Sequence, residues 1–152
     1  LGDVYKRQEE YGILDKIDTF IGSSAGSIMA AFYCLGYNVE EIIEISLGLK
    51  LENLRNIHTN NIMNFMENYG LDDAEKFYRM FKIVIKAKLN KEDITFKELY
   101  DKTNKNLIIT TTCLNTMDEE FFCHRSTPDF KVLDAVVMSI SIPFLFKPYK
   151  LL

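Results

Sequence analysis

Residues 16–35 read KIDTFIGSSAGSIMAAFYCL, and this stretch decides which fold class we expect. Residues 16–21 alternate charged and apolar side chains and then become fully apolar, as a short buried strand does. The segment GSSAG, residues 22–26, follows without a spacer. Residues 25–35 are small or apolar on every face, which predicts a helix that is buried all round and ends at Gly36. The stretch therefore predicts a strand, a sharp turn and a buried helix in direct succession.

Capping signals predict three more helices downstream. Asn38 with Glu41, and Thr95 with Glu98, have the spacing of a capping box. We expect the two helices that they open to end near Leu49 and Lys102. Asp72 or Asp73 is expected to cap a longer helix that ends near Leu89. One side of that longer helix carries Ala74, Phe77, Phe81, Val84 and Lys88.

The second half of the chain adds two strands and a last helix. Leu107–Cys113 is rich in β-branched residues and predicts a strand that is buried on both faces. After a turn at residues 115–118, Glu119–Arg125 predicts a strand antiparallel to it, and Lys131–Ser139 predicts a helix that Ile142-Pro143 ends. Because strands alternate with helices, we expect an α/β fold with a mostly parallel sheet.

Composition excludes several classes of function. With 152 residues, 47% of them apolar and 26% charged, the chain suits one soluble domain. No apolar run approaches the roughly 20 residues of a membrane-spanning helix. A net charge of −4 gives no basic surface, so we expect no nucleic-acid partner.

The cysteines and histidines do not predict a metal site. Cys34, Cys113 and Cys123 lack CxxC spacing, and an odd count without a pairing pattern favours reduced thiols inside a cell. The two histidines, His58 and His124, have no helical i, i+4 partner and no cysteine cluster. We expect neither a metal nor another cofactor.

The segment 22–26 matches the pattern G-x-S-x-G. A strand before it and a buried helix after it are the setting of a nucleophile elbow, in which Ser24 is the nucleophile. The backbone N–H of Ala25, at the helix N-terminus, is then a natural oxyanion donor. Gly22 and Gly26 flank a backbone that is expected to pack too tightly for side chains. The alternative is an ordinary glycine-rich turn that binds phosphate, but such a loop normally has a Lys or a further Gly.

A Ser-His-Asp triad is poorly supported. Asp118 and His124 follow Ser24 in the order that hydrolases use. However, His124 lies within a predicted strand, and Asp118 precedes it by six residues only. We interpret His124 as a partly buried strand residue and His58 as a solvated surface residue.

The segment Ile17–Ala31 closely resembles the nucleophile segment of the patatin-like phospholipases. The resemblance extends from about Glu9 to Pro148 and includes three further segments: GYNVEE at 36–41, TFKELY with LIITTTCLNTMDEEFF at 95–122, and DAVVMSISIPFLFKP, with its Ser-x-x-x-Pro, at 134–148. It implies a three-layer α/β/α fold that is incomplete at both ends. Residues 1–8 read as a non-native junction, and residues 9–152 as a partial domain.

The resemblance also implies a Ser/Asp dyad without histidine, with Ser24 as nucleophile and Gly22 and Gly26 as elbow glycines. The glycine-rich oxyanion loop is expected before Glu9, and the motif that carries the dyad aspartate after Leu152. We do not transfer the role of that aspartate to Asp118 or Asp134. The chain as given is therefore expected to be inactive.

The leading hypothesis is a lipid acyl hydrolase that acts on phospholipids or acylglycerols through an acyl-Ser24 intermediate. Its expected partners are the lipid substrate and, peripherally, a membrane, in a cytoplasmic setting. The Met-rich and aromatic segment Ile62–Phe81 is either part of an acyl-chain pocket or, more commonly for such a stripe, plain core.

Two alternatives to the hydrolase hypothesis stay open. One is an acyl transferase of the malonyl-CoA:carrier-protein type, which needs a downstream histidine and arginine. The other is a lipid-binding domain without a working dyad.

Overall fold

The first strand and the helix after it form in the predicted order, but the strand covers Thr19–Ser23, and among the described residues it is mostly exposed and not buried as expected. The computed structural model describes residues 7–8, 10–48, 70–72, 74–142, 144–146 and 148–150. A single 3-10 turn at Leu14–Lys16 precedes the first strand. In chain order the strands and helices are β1 (Thr19–Ser23), α1 (Ala25–Cys34), α2 (Val39–Gly48), β2 (Gly70–Asp72), α3 (Glu75–Leu89), α4 (Phe96–Thr103), β3 (Asn106–Thr112), β4 (Glu119–Cys123), α5 (Val132–Ile140) and β5 (Phe144–Phe146). The fold class is α/β, as predicted.

A three-stranded sheet in the order β1-β3-β4 carries the N-terminal end of α1 at its edge. β1 pairs in parallel with β3, from Thr19 opposite Asn106 to Ser23 opposite Thr110. β3 and β4 form the predicted antiparallel hairpin, but β4 ends at Cys123, so His124 follows the strand and does not lie within it as expected. β2 and β5 form a separate parallel pair that the sequence did not indicate, because three residues are too few to show a periodicity. The carboxyl end of β1 therefore lies beside the carboxyl end of β3.

The core packs α1 and α5 against β3. Leu107 and Ile109 of β3 are fully buried, as are Ala31 and Cys34 of α1. The predicted all-round burial of α1 holds from residue 30 onward, whereas its first turn is partly open. Gly36, at φ +90°, ends α1 as predicted.

Burial of β3 differs from the expectation. We expected both faces to be buried, but buried and half-buried residues alternate along the strand. Leu107, Ile109 and Thr111 are buried, whereas Ile108 and Thr110 on the other face are half-buried. Side chains of a strand alternate between faces, and the second face is covered less well within the part of the chain that the structure describes.

Both predicted capping boxes are confirmed. The Asn38 amide donates to Glu41 Oε2 at 2.9 Å, and the Glu41 amide donates to Asn38 Oδ1 at 2.8 Å. Thr95 and Glu98 make the same reciprocal pair at the start of α4.

The predicted aspartate cap of α3 is wrong. Asp72 is the last residue of β2, and Asp73 lies outside the described residues. The N-cap is Ala74, which is buried, has φ +58° and caps without a side-chain hydrogen bond. Because β2 ends two residues before Ala74, Asp72 is held in a strand and is too early to cap the helix.

The described part of the segment Ile62–Phe81 includes core residues. Phe77 and Phe81 are 5% and 0% exposed, and the Phe81 ring stacks on Phe32 with 5.3 Å between centroids. Residues 62–69 of that segment lie outside the described residues.

Of the helices in the described ranges, none has both the length and the apolar character required to cross a bilayer.

Close contact between β1 and α1 predicts opposite effects of two alanine substitutions. A Cβ on Gly22 would lie 2.4 Å from the Gly26 carbonyl oxygen and 2.5 Å from Ser27 Cα, so Gly22→Ala must push strand and helix apart. We expect a loss of stability of about 1–3 kcal/mol. A Cβ on Gly26 meets no atom of the described residues within 4 Å, so Gly26→Ala should be neutral or stabilise by up to about 1 kcal/mol. Urea denaturation of the two variants checks this, and equal stabilities would contradict the close contact.

Candidate active site

Ser24 occupies the turn between β1 and α1 in a strained backbone conformation. Its φ and ψ are 51° and −125°, a region that non-glycine residues seldom adopt. The residue is exposed, and it directly follows the last residue of β1. This is the strand–turn–helix geometry that the G-x-S-x-G pattern predicts.

Only one of the two glycines is required by close packing. Gly22 is buried, and the first turn of α1 approaches its backbone so closely that no side chain fits. In the described part of the chain no atom lies within 4 Å of where a Cβ on Gly26 would be, so the expectation of tight packing at Gly26 is wrong. The difference arises because a Cβ on Gly22 would be directed at the first turn of α1, whereas Gly26 is itself part of that turn.

Two other serines hold the backbone of Ser24. The Ser24 N–H donates to Ser139 Oγ at 2.8 Å, and Ser139 Oγ donates to the Thr110 carbonyl at 2.7 Å. The Ser24 carbonyl accepts from the Ser27 N–H at 2.9 Å and from Ser27 Oγ at 2.6 Å. Ser27 is fully buried, and Ser139 is half-buried. No local pattern predicts these hydrogen bonds: Ser27 was expected only to be a small residue that lets α1 lie close to the sheet, and Ser139 is known from the sequence only as the serine of the Ser-x-x-x-Pro segment.

Two amides at the start of α1 remain available beside Ser24. The N–H groups of Ala25 and Gly26 find no acceptor among the described residues. Amides in the first turn of a helix have no acceptor within the helix, and the helix dipole adds partial positive charge there. An oxyanion that forms on an acyl group attacked by Ser24 would meet these groups, as the predicted role of Ala25 requires.

His124 lies at the other end of the sheet from Ser24. Its Nδ1 is 2.8 Å from Asn106 Oδ1, and its ring stacks on Tyr100 with 3.8 Å between centroids. Asn106 pairs with Thr19, the first residue of β1, whereas Ser24 follows the last. The two ends of a five-residue strand are about 13 Å apart. Burial lowers the pKa of His124, and the positive charge of Arg125 lowers it further.

Asp134 and Asp118 make no hydrogen bond to Ser24 either. Asp134 lies in the first turn of α5, and its Oδ1 accepts a hydrogen bond from the Tyr78 hydroxyl at 2.9 Å. Asp118 is exposed in the turn between β3 and β4. His58 lies outside the described residues. None of the described side chains accepts a hydrogen bond from the Ser24 hydroxyl.

Burial prevents Cys34 on α1 from serving as an alternative nucleophile, and the described residues form no metal site. All three are free thiols. Burial raises the pKa of the Cys34 thiol to about 12, which keeps it protonated near neutral pH. Across the described ranges, His, Cys, Asp and Glu side chains form no group of three that could hold a metal ion.

Comparison with known proteins identifies relatives along almost the whole chain. The family of patatin-like phospholipases matches residues 3–151. A probable lipid hydrolase of Invertebrate iridescent virus 6 is 34% identical over 90% of this chain and 47% of its own length. An uncharacterized protein of Acanthamoeba polyphaga mimivirus is 32% identical over 88% of this chain and 44% of its own. The triacylglycerol lipase ptl3 of Schizosaccharomyces pombe is 27% identical over 95% of this chain and 30% of its own. The chain thus spans less than half the length of each of these relatives.

The position of His124 predicts that it does not activate Ser24. In the full-length protein, His124→Ala should react with a fluorophosphonate, which labels activated serines, at a rate within about twofold of the wild type. Removing a general base instead slows a reaction by roughly 100-fold or more, and a loss of that size would contradict the prediction. Loss of the stack on Tyr100 should reduce stability by roughly 1 kcal/mol, so rates are compared well below the unfolding transition.

Proposed function

The chain belongs to the patatin-like phospholipase family, and from this premise we propose that the full-length protein hydrolyses lipid esters with Ser24 as the nucleophile. The observation that carries the proposal is the exposed Ser24 at φ 51°, beside the amides of Ala25 and Gly26, which find no acceptor among the described residues. A hydroxyl at such a turn is accessible to a substrate and faces groups that stabilise negative charge. The strain at Ser24 supports a functional role, because strained residues cluster at functional sites.

The reaction proceeds in two acyl transfers. Ser24 Oγ attacks the ester carbonyl carbon and gives its proton to a base, and the carbonyl oxygen becomes an oxyanion near the Ala25 amide. The bond from the carbonyl carbon to the alcohol oxygen then breaks. The alcohol takes the proton and leaves, and the acyl group stays on Ser24. A water molecule attacks this ester in the same way, which releases the fatty acid and restores the hydroxyl.

We assign the base to an aspartate outside residues 1–152, as in a Ser/Asp dyad. The separation of His124 from Ser24 supports this assignment, as does the engagement of Asp134 with Tyr78. The relatives extend well beyond the region that they share with this chain, so they have room for such a residue. On this proposal residues 1–152 alone, without the base, are inactive.

The proposed substrates are phospholipids or acylglycerols. One relative is a triacylglycerol lipase and another a probable lipid hydrolase, which supports a lipid ester over a soluble one. Since such substrates lie in membranes and lipid droplets, we propose that the protein contacts a lipid surface peripherally. The three free thiols favour a reducing compartment such as the cytoplasm.

Ser24→Ala tests the proposal directly, and Ser23→Ala is its matched control. Both serines are exposed and adjacent, but Ser23 belongs to β1 and precedes the turn. In the full-length protein we expect Ser24→Ala to lose more than roughly 1000-fold in ester hydrolysis and all fluorophosphonate labelling. Ser23→Ala should stay within about threefold of the wild type, because surface substitutions change little. Activity is measured on a p-nitrophenyl ester and on phospholipid or triacylglycerol emulsions.

The same assays separate the alternatives. An unlabelled wild type that binds vesicles without releasing fatty acid would indicate a lipid-binding domain. A labelled Ser24 that passes its acyl group to an added thiol acceptor, and not to water, would indicate an acyl transferase. Labelling of Ser24→Ala would reject Ser24 as the nucleophile.

A further inference from the structure

The hydroxyl of Ser139 is hydrogen-bonded to the backbone of the candidate nucleophile Ser24, which is distant in sequence. Ser139, in the last turn of α5, is 115 residues away from Ser24, and its Oγ accepts the Ser24 N–H at 2.8 Å. A serine hydroxyl has one proton, and Ser139 gives it to the Thr110 carbonyl at 2.7 Å. With the proton committed to Thr110, a lone pair of Ser139 Oγ remains to accept the Ser24 N–H.

This bridge lies just past the point at which the pairing of β1 with β3 ends. The last paired residues of β1 and β3 are Ser23 and Thr110, and the chain leaves the strand at Ser24. α1 begins at Ala25, so the helix does not provide an acceptor for the Ser24 amide. Ser139 Oγ therefore forms a side-chain link between Ser24 and β3, one residue beyond the strand pairing.

Ser27 and Ser139 bond different backbone groups of Ser24 and connect them to different parts of the fold. Ser27 bonds the Ser24 carbonyl from within the first turn of the same helix, so it moves with that turn. Ser139 connects the Ser24 amide to α5 and, through Thr110, to the neighbouring strand. A conformation as strained as that of Ser24 persists only when the surrounding structure holds it from several sides.

We propose that Ser139 is a positioning residue, which holds the Ser24 backbone so that the Ser24 hydroxyl points at the substrate. The proposal rests on the proposed function of Ser24. Ser139 does not touch the reacting atoms: it fixes the amide of the nucleophile and leaves the amides of Ala25 and Gly26 to face the oxyanion. Without the bridge the turn can relax, and the nucleophile drifts from the geometry of attack.

Two serines on the same helix end permit a matched test in the full-length protein. Ser141 also donates its hydroxyl proton to a carbonyl, that of Val137 at 2.6 Å, and both serines are half-buried. Ser141→Ala therefore removes a comparable hydroxyl without touching the elbow. Ser139→Ala removes the bridge, and Ser139→Thr keeps an oxygen at the same position. Each variant is assayed for kcat and KM on a p-nitrophenyl ester, for its rate of fluorophosphonate labelling and for its urea midpoint.

We expect Ser139→Ala to lower kcat and the labelling rate by roughly 10- to 100-fold, with KM within about twofold. Ser141→Ala should keep both rates within about twofold of the wild type, and Ser139→Thr should recover most of the loss. A merely structural role predicts a lowered urea midpoint but normal kcat at low denaturant, and that result overturns the proposal. Equal kcat values for the two alanine variants also overturn it.

The proposed function itself is tested by the wild type, in the same assays. A wild type that neither hydrolyses esters nor reacts with the fluorophosphonate rejects Ser24 as a nucleophile, and the positioning role of Ser139 is rejected with it. Exchange of the Ser24 amide with deuterium then still reports on the bridge. Faster exchange in Ser139→Ala than in Ser141→Ala shows that the bond exists and serves the fold alone.

Discussion

The architecture of the site depends on how closely the first turn of α1 approaches the backbone of Gly22. There is no space for a Cβ at this position, since the nearest helix atom would lie 2.4 Å from it. With helix and strand so close, the chain has to turn within a single residue, and Ser24 takes a positive φ to do so. The same approach brings the start of the helix, whose first amides have no acceptor within the helix, to the carboxyl edge of the sheet. Strain, exposure and local positive potential at Ser24 therefore all follow from this contact.

Local chemistry made a large part of this fold predictable. The strand, turn and helix around Ser24 follow from residue sizes and hydrophobicity over about twenty positions, and both capping boxes follow from residues three apart. The failures have physical causes as well. Asp72 has the chemistry of a cap but belongs to a strand, and the pairing of β2 with β5 involves only three residues on each side. The bond from Ser139 to Ser24 joins residues 115 apart, and no local pattern encodes such a contact.

His124 shows why the order of residues along the chain is weak support for a catalytic triad. It follows Ser24 and Asp118 in the order that many hydrolases use, yet it lies by the amino end of β3. An antiparallel hairpin returns the chain to the end of the sheet from which it came, so residues after β4 return to the start of β3. Residues of a shared site must instead come from the carboxyl ends of parallel strands, where Ser24 and Thr110 meet. Topology thus decides which polar residues can cooperate.

Because Cys34 is buried, its reaction with a thiol reagent reports on opening of the core around α1. The thiol is fully buried on the helix that begins beside Ser24, and its pKa of about 12 leaves almost no thiolate. An alkylating reagent can reach it only in molecules whose core has transiently come apart. Cys113 and Cys123 are only half-buried, so locating the modified cysteine by peptide mass spectrometry distinguishes surface reaction from exposure of the interior. The modification rate of this wild-type residue thereby measures how often the core around α1 opens, without any engineered probe.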